Sequence, residues 1–526
     1  MINAFYSSSI WAMEPSLITV ETDIRNGIPM FNMVGLADIT INEAKERIRA
    51  ALSNSGYKFP NKRITVNLAP ADVHKSGTGF DLPIAIGLLS YNDLNEGLDD
   101  ERYEMLEYIK KNFAFIGELS LSGKLVSVHG ALALALGVRN AGVKNIVVPA
   151  ANVDEVKVLT DINVYGFSHL NEVMDFIRGD LDAEPEDRKV IKKRNTIKRS
   201  ENFSQVYGQE LVKRAITIAV AGHHGILMVG PPGVGKTMIA NRIPSIMPDI
   251  KYDEMLEVAK IYSVSDVADI NDVLCYKRPF RKVSSGITES ALFGGGNIPK
   301  PGEISLAHSG VLFIDEFAQF APSLIEQLRG PMEDKVVKIQ RRKGVFTFPS
   351  DFMFVAASNP CKCGYLGDDT RECTCSAKEI SNVASRFSGP ILDRVDIHVR
   401  MNNVKFKDLK NYNQVPDEET KSSEDMRREI DRALSMQKSR YAGEGIVYNS
   451  QMSESMIKKY CVLHEKEKRF LENAYNVLKI SPRSLSKVVK VARTIADMEM
   501  SENIRVAHIS EAIGYRALKE FYREKA

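Results

Sequence analysis

The stretch ILMVGPPGVGKT, residues 226–237, constrains this 526-residue chain more than any other. It fits the spacing G-x-x-x-x-G-K-[ST], follows four apolar residues that read as a strand, and opens a helical segment. The chemistry needs that layout. Across Gly230, Pro231, Pro232, Gly233, Val234 and Gly235 the backbone N–H groups can converge on phosphate oxygens, and the helix N-terminus adds the positive end of its dipole. Lys236 is placed to reach β- and γ-phosphates, and Thr237 to coordinate Mg²⁺. From about residue 201 to 400, hydrophobic strands alternate with helical segments, which predicts an α/β domain built on a parallel sheet.

Other segments supply partners for such a loop. GVLFIDEF, residues 310–317, is an apolar strand ending in Asp315-Glu316. Asp315 would hold the Mg²⁺ shell and Glu316 would polarise the attacking water. FMFVAASNP, residues 352–360, ends a further strand at Asn359, whose amide would face the γ-phosphate and the lytic water. In SRFSGPILDRVDIHV, residues 385–399, Arg386 and Arg394 are both candidates for an arginine finger. Arg394 is favoured, against a salt bridge to Asp393 or Asp396. Arg483, at the start of a helix in ISPRSLSKVVKVARTIADM, would reach phosphates across the domain cleft. A finger that completes a neighbour's site requires a neighbour, so the chain is expected to form a ring of identical copies. The expected substrate is ATP, with Mg²⁺.

VVKIQRRKGVFTFP, residues 336–349, alternates apolar and polar residues on both sides of a turn at Lys343-Gly344 and predicts a β-hairpin. Lys338, Arg341, Arg342 and Lys343 carry positive charge with no acid among them. Net charge is only +2, so attraction to nucleic acid must come from a local patch such as this one. Contacts of lysine and arginine with phosphates are indifferent to base sequence and sensitive to salt, as a translocating motor needs.

CKCGYLGDDTRECTC, residues 361–375, holds Cys361, Cys363, Cys373 and Cys375, four of the six cysteines. Two Cys-x-Cys pairs in one short loop can wrap a tetrahedral ion, which predicts structural Zn²⁺ in a reducing compartment. Partial occupancy, redox-linked pairs and free thiols are the alternatives. The composition, 44% hydrophobic and 26% charged, is that of an ordinary globular protein. The N-terminus has no signal-peptide pattern, and no apolar run reaches a membrane span, so a cytoplasmic chain without membrane contact is expected. Four blocks follow in order: residues 1–178, a charged linker at 179–200, a core at 201–400, and a helical block at 401–526. His223 and His224 precede the phosphate-loop strand and receive no role.

Taken together these segments resemble AAA+ ATPases, and within them the magnesium-chelatase-like ComM/YifB family. The resemblance rests on NFSQVYGQELVKRAITIAVAGHHGILMVGPPGVGKTMIANRIPSIMP, RPFR, ALFGGGNIPKPGEISLAHSGVLFIDEF, SNPCKCGYLG, SGPILDRVDIHV, RYAGEGI and VARTIADMEMSENI, and covers essentially the whole chain. It implies a P-loop AAA+ parallel-sheet core with an α-helical C-terminal lid. It also implies a hexameric motor that binds single- and double-stranded or branched DNA and drives branch migration in natural transformation. In this branch the hairpin would project toward the central channel. Two departures stand out. Where the family shows Pro-His-His-Thr this chain reads Lys282-Val283-Ser284-Ser285-Gly286, and its Cys-Pro-Cys is Cys361-Lys362-Cys363. The alternatives are a chelatase-type metal-insertion subunit and a protein-remodelling chaperone.

The N-terminal block resembles the proteolytic domain of Lon, an α+β domain with a Ser-Lys dyad, over residues 67–89 and 123–149. In this sequence the nucleophile falls on Gly79 and the dyad lysine on Leu132. Glycine cannot attack a carbonyl and leucine cannot take a proton, so no peptidase activity is expected.

Overall fold

The computed structural model describes residues 2–35, 39–75, 77–187, 202–265, 270–342, 344–387, 389–403, 421–478, 481–518 and 521–522. Of the expected linker, residues 188–200 lie outside the described residues, as do Lys343 and Ser76. Two compact units divide the chain. One comprises Met1–Arg194, Tyr252–Tyr276 and Gly296–Pro301, the other Asn195–Lys251, Lys277–Gly295 and Gly302–Ala526.

The first unit is built on a seven-stranded mixed sheet. Its spatial order is Met30–Val34, Arg63–Ala69, Glu14–Arg25, Ile2–Trp11, Phe113–Phe115, Asn145–Pro149 and Asn163–Phe167. Ile2–Trp11 and Glu14–Arg25 pair antiparallel, and Ile18, Val20, Thr22 and Ile24 alternate into the core. The run ALALALGV forms the helix Ala131–Asn140, buried from Ala131 to Val138. A helix apolar on all sides needs cover on all sides. The strands Ile2–Trp11 and Glu14–Arg25 cover part of it, and the helix Tyr252–Ser263 another part. That second helix is tied down by Tyr252 Oη donating to Val158 O (2.9 Å) and Ser263 Oγ donating to Glu155 Oε1 (2.6 Å). Leu132 is wholly buried, and Gly79 has no side chain to offer.

The second unit holds a five-stranded, wholly parallel sheet in the order Phe280–Val283, Val311–Ile314, Met353–Ser358, Ile226–Val229, Ile397–Arg400. Val311–Ile314, Met353–Ser358 and Ile226–Val229 are buried along their length, as strands covered by helices on both faces must be. The C-terminal helices Ser423–Arg440, Glu454–Tyr460, Glu465–Leu478, Pro482–Met498 and Val506–Gly514 complete the unit. Ser422 and Asp425 close a capping box at the start of the first of these. Their packing is fixed by Asp497, fully buried, which receives Arg440 (2.5 and 2.7 Å), Arg493 (3.0 Å) and Asn449 (2.9 Å). The α/β class, the parallel-sheet core and the helical C-terminal region read from the sequence are present.

The predicted hairpin forms from Val336–Arg341 and Gly344–Pro349. Its turn differs from the expectation by one residue. The ladder closes with Arg341 opposite Gly344, so Gly344 joins the strand rather than the turn. Among the described residues no helix is long and apolar enough to cross a membrane.

Candidate nucleotide site at the carboxyl edge of the parallel sheet

Register brings the three motif-bearing strands to one edge. Val229 lies opposite Ser358, and Ile314 opposite Ala356. Gly230, Asn359 and Asp315 therefore emerge from the carboxyl ends of neighbouring parallel strands, where open α/β sheets bind ligands.

The phosphate loop turns through left-handed backbone at Gly233 (φ +84°) and Gly235 (φ +90°) before the helix Lys236–Arg242. Lys236 Nζ donates to Gly230 O (2.6 Å), Pro231 O (2.7 Å) and Asn359 Oδ1 (2.9 Å). All three of these acceptors are neutral. Burial lowers the ammonium pKa to about 8 against the raising influence of Asp315 and Glu316. Thr237 Oγ1 donates to Asp315 Oδ2 at 3.0 Å. A hydroxyl and a carboxylate meeting at hydrogen-bond distance are the oxygen donors that Mg²⁺ takes from a protein, and Lys236 is a cation suited to phosphate. The donor set fits a nucleotide with its metal.

Glu316 sits in left-handed backbone (φ +53°), a conformation that costs a non-glycine residue about 1 kcal/mol and clusters at functional sites. Glu316, Ser358, Asn359, Cys361, Lys362 and Arg386 line a cavity of about 360 Å³. Arg394 and Arg483 form another cluster, in which both guanidiniums pair with Glu333. Asp393 accepts Ser484 Oγ (2.9 Å) and Ser481 Oγ (3.3 Å), and Asp396 receives Lys487 (2.6 Å). His224, buried and neutral because burial lowers its pKa, faces Asp396 (2.9 Å) and Thr494 (2.8 Å). His223 stacks on Tyr448 with 4.9 Å between ring centroids.

Two residues of these clusters escaped the motif reading. Lys282 Nζ lies 3.1 Å from Asp315 Oδ2, the oxygen that Thr237 also reaches. It stands at the head of the segment that departs from the family pattern, which was the one signal available. Glu333 had none, because its partners lie 61 and 150 residues further along the chain, at Arg394 and Arg483.

The four cysteine sulfurs all lie within 4.8 Å of one another. Cys361 is 3.4 Å from Cys363 and 3.6 Å from Cys373, and Cys363 is 3.6 Å from Cys373. A disulfide would need about 2.05 Å. Sulfurs around a tetrahedral zinc at about 2.3 Å would sit about 3.8 Å apart, close to what is found. The backbone N–H groups of Leu366 and Cys363 donate to Cys361 Sγ (3.3 Å) and Cys375 Sγ (3.2 Å), the support that metal-bound thiolates receive. Burial pushes the Cys361 thiol up to about 12. At Cys363 burial also raises the pKa, but backbone N–H groups of Tyr365 and Thr374 outweigh it and bring the thiol down to about 6. The loop presses on the nucleotide site: a Cβ on Gly364 would lie 2.7 Å from Pro232 Cδ.

The basic hairpin carries exposed Lys338, Arg341 and Arg342. It directly precedes the strand Met353–Ser358, which Asn359 follows.

A phosphate loop, an acidic strand end and an amide strand end, abreast on a parallel sheet that is followed by a helical block, define a P-loop ATPase of the AAA+ type. Sequence comparison narrows the class. Residues 202–409 match the family model described as "Magnesium chelatase, subunit ChlI", residues 20–152 "Subunit ChlI of Mg-chelatase", and residues 420–516 "Magnesium chelatase, subunit ChlI C-terminal". The chain is 37% identical to the competence protein ComM of Haemophilus influenzae over 98% of this chain and 97% of that protein. It is 37% identical to YifB of Salmonella typhimurium (95% and 94% covered) and 36% identical to YifB of Escherichia coli (95% and 94%). The chain belongs to the ComM/YifB family of magnesium-chelatase-like AAA+ ATPases.

Proposed function

We propose that this protein is an ATP-driven motor that assembles as a ring, with six copies expected, and translocates DNA as a helicase or branch-migration enzyme. The observation that carries the reading is the basic hairpin Val336–Pro349, fused to the strand whose far end bears Asn359. Movement of that strand with the state of the γ-phosphate would move the charged tip. The similarity to a protein named for competence points the same way, toward DNA taken up in transformation. In this reading Lys236 and the loop N–H groups bind the phosphates, and Thr237 and Asp315 hold Mg²⁺, which shields phosphate charge when bound. Glu316 accepts a proton from the attacking water and Asn359 orients that water. Arg394 meets the phosphates of a neighbouring copy, and Arg483 reaches phosphates across the domain cleft. Zn²⁺ on Cys361, Cys363, Cys373 and Cys375 would brace the loop beside Pro232. The protein would work in the cytoplasm, where such thiols stay reduced. The N-terminal residues 1–178 are assigned packing or DNA guidance and no peptidase activity.

The family description favours one other reading, a metal-insertion subunit that drives a porphyrin-binding partner. The test is ATP turnover with and without single-stranded DNA, beside unwinding of a branched duplex. The proposal expects stimulation and unwinding. It also expects neutralisation of Lys338, Arg341 and Arg342 to weaken DNA binding and flatten its salt dependence by about one unit of slope per lost phosphate contact. Turnover indifferent to DNA overturns the proposal, and stimulation by unfolded protein instead would make it a chaperone.

A further inference from the structure

Glu333 lies in the helix Arg329–Asp334. One of its carboxylate oxygens, Oε1, accepts a hydrogen bond from Arg483 Nη2 and forms an ion pair with Arg394 Nε. Arg394 is largely buried, with 11% of its side chain exposed, whereas Arg483 is 47% exposed. Two guanidiniums brought to one point repel each other unless an anion stands between them. Arg483 occupies the first turn of the helix Pro482–Met498, where the helix dipole disfavours a cation. Helix stability therefore gives no reason for a positive charge there, while recognition of an anion does. The arginines also act on Glu333: burial would raise its pKa, but Arg483 and Arg394 hold it below the usual carboxylate range.

Two residues beyond Glu333, at Lys335, the backbone turns left-handed (φ +59°), and the hairpin begins at Val336. We infer that Glu333 is a positioning residue: it holds Arg394 and Arg483 together as one doubly charged receptor, and phosphate reaching that receptor displaces it. Carboxylate and phosphate oxygens compete for the same guanidinium donors. Displacement frees the helix Arg329–Asp334, and with it the root of the basic hairpin. The inference rests on the reading that the two arginines engage nucleotide phosphates, and it adds the link from those phosphates to the hairpin.

The test uses the full-length chain carrying Glu333→Gln, which keeps shape and removes charge, and Glu333→Asp, which keeps charge. Readouts are kcat and KM for ATP, and hydrogen exchange of residues 336–349 with and without a slowly hydrolysed ATP analogue. With Glu333→Gln, KM is expected to fall severalfold because the competing carboxylate is gone. Hairpin exchange should already be fast without nucleotide, whereas the unsubstituted chain speeds up only when the analogue is added. Glu333→Asp should restore much of the difference. In a chain carrying Arg394→Ala and Arg483→Ala, adding Glu333→Gln should change neither readout. If the arginine substitutions impair turnover but Glu333→Gln leaves KM and exchange as they were, this inference fails alone. An effect of Glu333→Gln that persists without the arginines marks a purely structural role and also overturns it. If the arginine substitutions leave turnover intact, the underlying reading fails and takes the inference with it.

Discussion

Lys236 carries a charge that its surroundings disfavour. Its pKa of about 8 reflects burial among neutral oxygens, and a bound triphosphate would raise it. The nucleotide complex then holds more protons than the free protein, so affinity must fall as pH rises above about 8. The limit is about tenfold per pH unit until the pKa of the complex is reached. Titration of a fluorescent ATP analogue at pH 7, 8 and 9 should show this, with proton uptake measurable by calorimetry in two buffers. Affinity unchanged across that range would mean that Lys236 does not meet phosphate. That Gly230, Asp315 and Asn359 converge was legible in the sequence because each directly follows a strand and parallel register aligns strand ends, while Lys236 and Thr237 open the helix that the phosphate loop leads into. Lys282 and Glu333 were not legible. An ion pair across 33 residues, as Lys282 makes with Asp315, leaves no periodic trace.

The hairpin was readable as an element because a two-residue period survives in any context where one face is buried: Val337, Ile339, Phe346 and Phe348 all point inward. Its turn was misplaced by one residue because turn chemistry near a Lys-Gly pair fits two registers, and only the ladder decides between them. The cysteine loop was readable from its four thiols, but its position against the phosphate loop was not. That position yields a prediction. Purified gently, the protein should contain about one zinc per chain by mass spectrometry. Stripping the metal with a chelator should lower both ATP turnover and melting temperature, since metal binding to such a site is also folding free energy. Adding zinc back should recover both. A metal-free chain of equal stability and turnover would show that hydrogen bonds alone hold the loop. The close approach of Gly364 to Pro232 explains why loss of metal should reach the nucleotide: the loop has no room to shift toward the site without moving Pro232.

The helix Tyr252–Ser263 belongs with the N-terminal sheet, although in chain order it follows the phosphate-loop helix. No local signal marks this, since Ser263 and Glu155 are 108 residues apart. Met255, Val258, Ile261 and Tyr262 are buried there. At about 1.5–3 kcal/mol for each large apolar side chain, losing them would remove much of a typical domain stability of about 5–15 kcal/mol. A fragment of residues 1–187 is therefore expected to melt with low cooperativity and to bind a hydrophobic dye. Residues 252–276, fused to it by a flexible linker, should restore a sharp transition. A stable, dye-free 1–187 fragment would contradict the assignment. The same interleaving bears on how such a chain can be divided. The backbone passes from one unit to the other at residues 194, 251, 276, 295 and 301. A module stitched in at several seams cannot be removed as one contiguous stretch of sequence, so any single cut that took it out would breach the other unit as well.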